Sequence, residues 1–145
     1  MRLEIGGGTL VQPGWVNLDP RHGTGEWKRE AQQTPWPTGD NTVDAIRASH
    51  VLEHIPKGQP IIDVLNEAHR VLKPGCVFEV RVPNCETGWH AYGDLTHVSL
   101  WCIATFHYID GTKGAHAEYG NLPWRTVEPP HIQGDNEILW KGTPR

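Results

Sequence analysis

The sequence predicts one α/β domain spanning residues 1–145, with a mostly parallel central sheet and a shortened first strand-to-helix connection. Three observations predict it. A helix-periodic stretch sits between two strand-like stretches across residues 43–82, which makes a βαβ unit. A short apolar segment at the start of the chain runs straight into three glycines. A second short segment ends on an aspartate only a few residues later.

Along the chain, Arg2 to Ile5 is the first candidate strand, and Gly6-Gly7-Gly8 ends it. Trp15 to Leu18 is the second, closed by Asp19-Pro20. About nine residues lie between them, Pro13-Gly14 included, so no crossover helix fits there. Residues 20–42 are polar, carry Pro35, Pro37 and Gly39, and read as loop. Val43 to Ala48 reads as a strand. Pro60 to Leu72 is the clearest helix, because Ile61, Val64, Leu65, Ala68, Val71 and Leu72 share one face. Pro60 suits its first turn, and Lys73-Pro74-Gly75 is the stop signal. Cys76 to Val82 alternates Phe78, Val80 and Val82 on one side, as a strand does. Residues 84–97 read as loop, Leu100 to Ile109 as a helix, and 110–122 as a Gly-rich loop. Trp124 to Glu128 and Glu137 to Gly142 are expected as two late strands, joined through Pro129-Pro130 and Gly134-Asp135.

Composition narrows the function classes. The length suits one core and leaves no room for a second, substrate-binding domain. The net charge of −4 lacks the basic footprint of a nucleic-acid binder. Three cysteines without C-x-x-C spacing argue against a disulfide framework and suit a reducing cytoplasm. No apolar run approaches the roughly 18 residues of a membrane helix, and no secretory h-region follows Met1. A cytoplasmic protein is therefore expected.

The chemistry concentrates at two places. A strand that ends in glycines lets a ligand approach the backbone, because no Cβ intervenes. A dinucleotide fingerprint counted from Gly6 needs a third glycine where Val11 stands, which disfavours NAD. Asp19, at the end of the second strand, offers a carboxylate to a pair of ribose hydroxyls; it also reads as a turn aspartate before Pro20.

These residues, taken in order, resemble a known family. Leu3-Glu4-Ile5-Gly6-Gly7-Gly8, then PGWVNLD, then PWPTGDNTVDAIRASHVLEHIP, EAHRVLKPG and VRVPN are similar to the methyltransferase-11-type class I S-adenosylmethionine (SAM)-dependent methyltransferases. The match covers roughly residues 3–84 and is nearest to a compact subgroup that lacks a long first helix. GDLTHVSLWCIATFHYI resembles that subgroup's D-P-x-H-x-x-F-F-T-P-x-x-F-x-Y-L segment, with Leu95, Cys102 and Ile103 as departures. The resemblance implies a Rossmann-like fold and methyl transfer from SAM. It assigns Glu4 to the methionine amino group, Gly6, Gly7 and Gly8 to the methionyl and ribose end, and Asp19 to the ribose. It assigns Glu30 to the adenine amino group and sets Ser49 and His50 at the ligand edge of the sheet.

Two histidines are candidates for catalysis. His54 lies in the Leu52-Glu53-His54-Ile55 motif, where a loop-fixing hydrogen bond is the alternative. His97 lies on the segment expected over the acceptor, as general base, substrate contact or loop packing. No metal set is expected, since His90, His107, His116 and His131 are scattered and His69 lies within the helix pattern. Ala48-Ser49-His50-Val51 stands where adenine or cytosine-N4 DNA methyltransferases carry [N/D/S]-P-P-[Y/F]. Cys85 follows Asn84 rather than the proline that a cytosine-C5 enzyme needs. The rival class is a non-catalytic nucleoside-binding or assembly protein on the same fold. The acceptor is open between small molecules and macromolecules, and a homo-oligomer that completes the pocket is a possible assembly.

Overall fold

The computed structural model describes residues 1–114, 118 and 120–145; residues 115–117 and 119, His116 among them, lie outside the described residues. Six strands form one mixed sheet: β1 (Arg2–Ile5), β2 (Trp15–Leu18), β3 (Val43–Ser49), β4 (Leu72–Pro83), β5 (Trp124–Gln133) and β6 (Glu137–Pro144). Their order is β2-β1-β3-β4-β6-β5. The first four are parallel, while β6 runs antiparallel to both β4 and β5. Three helices are described with bounds: α1 (Gln59–Val71), a single turn α2 (His90–Gly93) and α3 (Ile103–Ile109). This is the expected α/β, Rossmann-like arrangement.

The first connection is as short as the glycines and Pro13 suggest: β1 passes to its parallel neighbour β2 with no helix between them. β1 and α1 begin and end within a residue of the sequence expectation. Pro60 occupies the first turn of α1, where its missing N–H costs nothing. Elsewhere the boundaries move for identifiable reasons. β4 begins at Leu72, directly on the end of α1, and its pairing with β3 shifts between Val43 and Ala45. Lys73-Pro74-Gly75 therefore forms an irregularity within a strand. β5 runs through Pro129 and Pro130. It tolerates them because it is an edge strand, and the register with β6 shifts on both sides of Glu128. α3 starts at Ile103, because Trp101 pairs with Asn84 in a bridge and accepts the Cys85 N–H at 2.8 Å.

The two faces of the sheet differ sharply. One buries Leu3, Ile5, Ile46, Phe78, Val80, Val82 and Trp140 in a single cluster with Ile61, Val64, Leu65 and Ala68 of α1, Phe106 of α3, and Trp36 from the 20–42 loop. The loop is anchored there by Trp36 N–H donating to Glu67 Oε1 at 2.6 Å. The other face carries one row of residues in register across all six strands: Asn17, Glu4, Arg47, Glu79, Lys141 and Glu128. Charge alternates along it. Arg47 Nη2 lies 2.7 Å from Glu4 Oε2, and Lys141 Nζ lies 3.7 Å from Glu79 and 2.8 Å from Glu128. Parallel sheets are normally covered on both faces; here the ionic row makes the second face compatible with water.

Candidate active site

The parallel strands converge at their carboxyl ends, where Gly6, Asp19, His50 and Asn84 follow β1, β2, β3 and β4. The glycine loop is held by the strand beside it. Gly6 N–H donates to the Leu18 carbonyl at 2.8 Å, Gly7 N–H to Asn17 Oδ1 at 3.1 Å, and Gly8 N–H to Asp19 Oδ2 at 3.0 Å. Asn17 returns a bond to the Gly8 carbonyl at 3.0 Å. The Leu18 carbonyl and the Asn17 side chain of β2, with Asp19 just after it, thus satisfy the amides that a helix would otherwise organise. Gly6 (φ 64°) and Gly8 (φ 54°) are left-handed, which glycine alone adopts freely. A Cβ on Gly6 would lie 2.4 Å from Val51, whereas the space beside Gly8 is open.

Asp19 is buried and well supplied with donors. Besides Gly8, its Oδ1 accepts the Arg21 and His22 amides at 2.8 and 2.7 Å. Burial pushes its carboxyl up, but the three backbone donors outweigh this and hold it below the ordinary range. Oδ2, with one donor, keeps a lone pair for a further hydroxyl. Glu4 is more buried, at 2% exposure, and burial raises its carboxyl despite the Arg47 partner. Its Oε1 accepts Arg47 Nε at 2.8 Å, while Oε2, near Nη2, has no aligned donor.

Three cavities lie along this edge. The first, of about 390 Å³, is lined by Glu4, Gly6, Gly7, Ser49 and His50, together with Arg47 and Arg81. The second, of about 70 Å³, meets it at Gly6 and brings Glu30 and His54 beside Pro20 and Val51. The third, of about 680 Å³, meets the first at His50 and is walled by Trp89, His90, Asp94, His97 and Glu137. The structure therefore brings five of the expected cofactor residues to one cavity and Glu30 to a neighbouring one. Gly8 and Asp19 reach the edge through their mutual hydrogen bond.

His50 (φ 53°) stands at the junction, half exposed, with Nε2 2.8 Å from Glu137 and Nδ1 3.4 Å from Glu53. The Glu53 carboxylate, opposed by burial and aided by Glu137, pushes His50 up to about 8. His97 is nearly buried, its Nδ1 donating to the Ala91 carbonyl at 3.1 Å. His54 is exposed, 3.2 Å from the Thr96 carbonyl, and its ring meets that of His97 edge-on at 4.8 Å. Sequence reasoning missed Arg47, Arg81, Glu53 and Glu137. The signal available was polar alternation: Arg47 and Ser49 share one face of β3, as Glu79 and Arg81 share one face of β4.

Residues 19–80 match the family model described as a methyltransferase domain. Over that stretch the chain is similar to the methyltransferase-11-type class I SAM-dependent methyltransferases. Solved structures agree in fold. A chain of the complex between the Haloferax volcanii Trm112 methyltransferase activator and a methyltransferase superposes with a TM-score of 0.66 at 16% identity, covering 98% of this chain and 80% of that one. SAM-dependent methyltransferases from Archaeoglobus fulgidus (TM-score 0.64, 14% identity, 97% and 84% covered) and Aquifex aeolicus (0.62, 15%, 97% and 79%) are similar. No curated protein matches the chain. Among the described residues, the chain has no helix long and apolar enough to cross a membrane.

The residues at the carboxyl edge of the sheet fit SAM. Its methionyl end is a zwitterion, and the 390 Å³ cavity sets Glu4, with a buried carboxylate oxygen lacking a hydrogen bond, beside Arg47 and Arg81. When bound, the cofactor supplies an electrophilic sulfonium methyl group; the protein's part is to hold and orient the two reactants.

Proposed function

We propose that SAM lies across the carboxyl ends of β1, β2 and β3 and that its methyl group passes to an acceptor in the 680 Å³ cavity. The single observation that carries this is the convergence of Glu4, Gly6, Gly7, Ser49 and His50 on one cavity that meets the larger one at His50. Glu4 faces the ammonium group, Arg47 and Arg81 the carboxylate, and Asp19 Oδ2 a ribose hydroxyl. Glu30 and the Pro20–Val51 cleft take the adenine end; at roughly two water volumes, that 70 Å³ cleft has to widen as the base enters. Gly8 leaves open space where the ribose approaches. Trp89 and the face of His90, stacked at 3.9 Å, offer a flat apolar wall to the acceptor. His97 acts on the acceptor side, and His54, which lines the adenine cleft, meets it edge-on. The whole chain works as one methyltransferase domain in the cytoplasm, consistent with its three free cysteines.

SAM or S-adenosylhomocysteine should raise the melting temperature of the purified chain, because a ligand that binds only the native state stabilises it; NAD should leave it unchanged. Asp19→Ala removes a charged acceptor, a loss of about 1.5–3 kcal/mol, so SAM should bind roughly tenfold more weakly or worse. Equal stabilisation by NAD, or unaltered SAM affinity in folded Asp19→Ala, would overturn the assignment.

A further inference from the structure

Glu53 is the least satisfied polar group at the ligand edge. Its side chain is 2% exposed, and neither carboxylate oxygen accepts a hydrogen bond. A buried carboxylate without donors is costly, and buried charges are normally paired or bound to metal. Imidazoles surround it: His97 Nε2 lies 3.9 Å from Oε1, His50 Nδ1 lies 3.4 Å from the same atom, and His54 adjoins it in sequence.

Hydrogen bonds set the state of two of these rings. His97 Nδ1 faces the Ala91 carbonyl at 3.1 Å, which only accepts, so Nδ1 carries the proton and Nε2 a lone pair. His54 Nδ1 faces the Thr96 carbonyl at 3.2 Å and the Thr96 hydroxyl at 3.1 Å. That hydroxyl gives its own proton to Asp94 Oδ1 at 2.7 Å, so it too accepts from His54. Both rings are therefore Nδ1–H tautomers with Nε2 unprotonated. Metal-ligating histidines are commonly held this way, the far N–H donating to a carbonyl or carboxylate. One donor atom from each of Glu53, His54 and His97 lies within 4.8 Å of the other two.

We propose that Glu53, His54 and His97 form a binding site for one divalent first-row transition cation, of the Zn²⁺ or Mn²⁺ class. Two imidazole nitrogens and one carboxylate suit such an ion and leave coordination positions open. Bonds of about 2.0–2.1 Å require the three side chains to draw inward by roughly an ångström. His97 lines the 680 Å³ cavity and His54 the 70 Å³ one, so the cation sits between acceptor and cofactor sides. An open position toward the acceptor cavity favours an acceptor that presents an oxygen, whose hydroxyl the ion acidifies. This role rests on the proposed function; the binding of the cation does not. In the metal-free protein the ion-pair partner that faces Glu53 is His50, 3.4 Å away.

The test uses the full chain stripped with chelator and titrated with Zn²⁺, Mn²⁺ or Co²⁺, read by calorimetry, by the visible absorption of Co²⁺ and by melting temperature. One cation per chain is expected, with a rise in melting temperature. Glu53→Gln and His97→Ala should each weaken binding about 100-fold or more, while His90→Ala, outside the set, leaves it intact. No binding, or binding indifferent to both Glu53→Gln and His97→Ala, would overturn the site. SAM-induced stabilisation of the metal-free protein is measured alongside: its loss would count against the proposed function, and its persistence without metal binding would count against the cation site alone.

Discussion

At the scale of single residues, the pair Glu4–Arg47 joins stability to function. Glu4 is the acidic residue before the glycines, and it sits too deep to be solvated. Arg47, on the neighbouring strand, holds Oε1 at 2.8 Å and lies 5.6 Å from the centre of the Trp15 ring. Truncating one partner of a buried ion pair leaves the other charge unpaired. Arg47→Ala should therefore cost roughly 3 kcal/mol, measured by urea unfolding. The double variant Glu4→Gln/Arg47→Ala should recover part of that loss. If the double variant is no more stable than Arg47→Ala alone, the unpaired charge is not the source of the cost.

At the scale of elements, the short β1–β2 connection depends on Gly6. Its left-handed backbone and its closeness to Val51 seat the loop against the turn after β3. Gly6→Ala combines backbone strain of about 1–3 kcal/mol with a clash, and it intrudes where the two cofactor-side cavities meet. Lower stability together with weaker SAM binding is expected; a variant with parental melting temperature and affinity would show that the loop adapts freely. A second joint ties α3 to the late strands. Asp110, capping α3, accepts Thr126 Oγ1 at 2.6 Å, Thr112 N–H at 2.9 Å and Thr112 Oγ1 at 2.7 Å, and Thr126 accepts Trp140 Nε1 at 2.9 Å. Burial raises the Asp110 carboxyl, but these donors together bring it below the ordinary range. The unfolded chain then takes up this proton at higher pH than the folded one. The contribution is whole above the ordinary carboxyl pKa of about 4 and is lost as pH falls through the lower folded value. Melting temperatures between pH 7 and pH 3 should fall less steeply for Asp110→Asn than for the parent, and parallel curves would exclude Asp110 as a contributor.

For the whole molecule, the ionic row replaces a covering layer. Alternating Glu4, Arg47, Glu79, Lys141 and Glu128 make a sheet face that tolerates water, while the helices and the 20–42 loop crowd the other face. Replacing Glu79 and Lys141 with valine would turn the centre of that face into an apolar strip on an open sheet. The double variant should self-associate, seen as a larger apparent mass in sedimentation, and an unchanged mass would mean that the flanking charges suffice.

What the sequence determined by itself is local. Periodicity located α1 and the strands, because each side chain's direction follows from its own backbone. The glycine cluster and Asp19 marked the ligand edge, because they close β1 and β2 within a few residues of each other. The fold and the resemblance to a methyltransferase domain were legible from those pieces in order. Tertiary structure alone decided what depends on register and on long-range approach. β5 passes through Pro129 and Pro130 because it became an edge, and no local signal says which strand will be an edge. Glu4, Arg47, Glu79 and Lys141 become one row only when four strands align, and a shift of one residue would send each to the opposite face. Glu53 and His97, separated by nearly a third of the chain, meet because the loop after β4 folds back over the turn after β3: Val98 N–H and Ser99 N–H both donate to the Glu53 carbonyl, at 2.9 and 3.0 Å. That return of the chain is set by backbone hydrogen bonding across the edge of the sheet, and no spacing of histidines in the sequence records it.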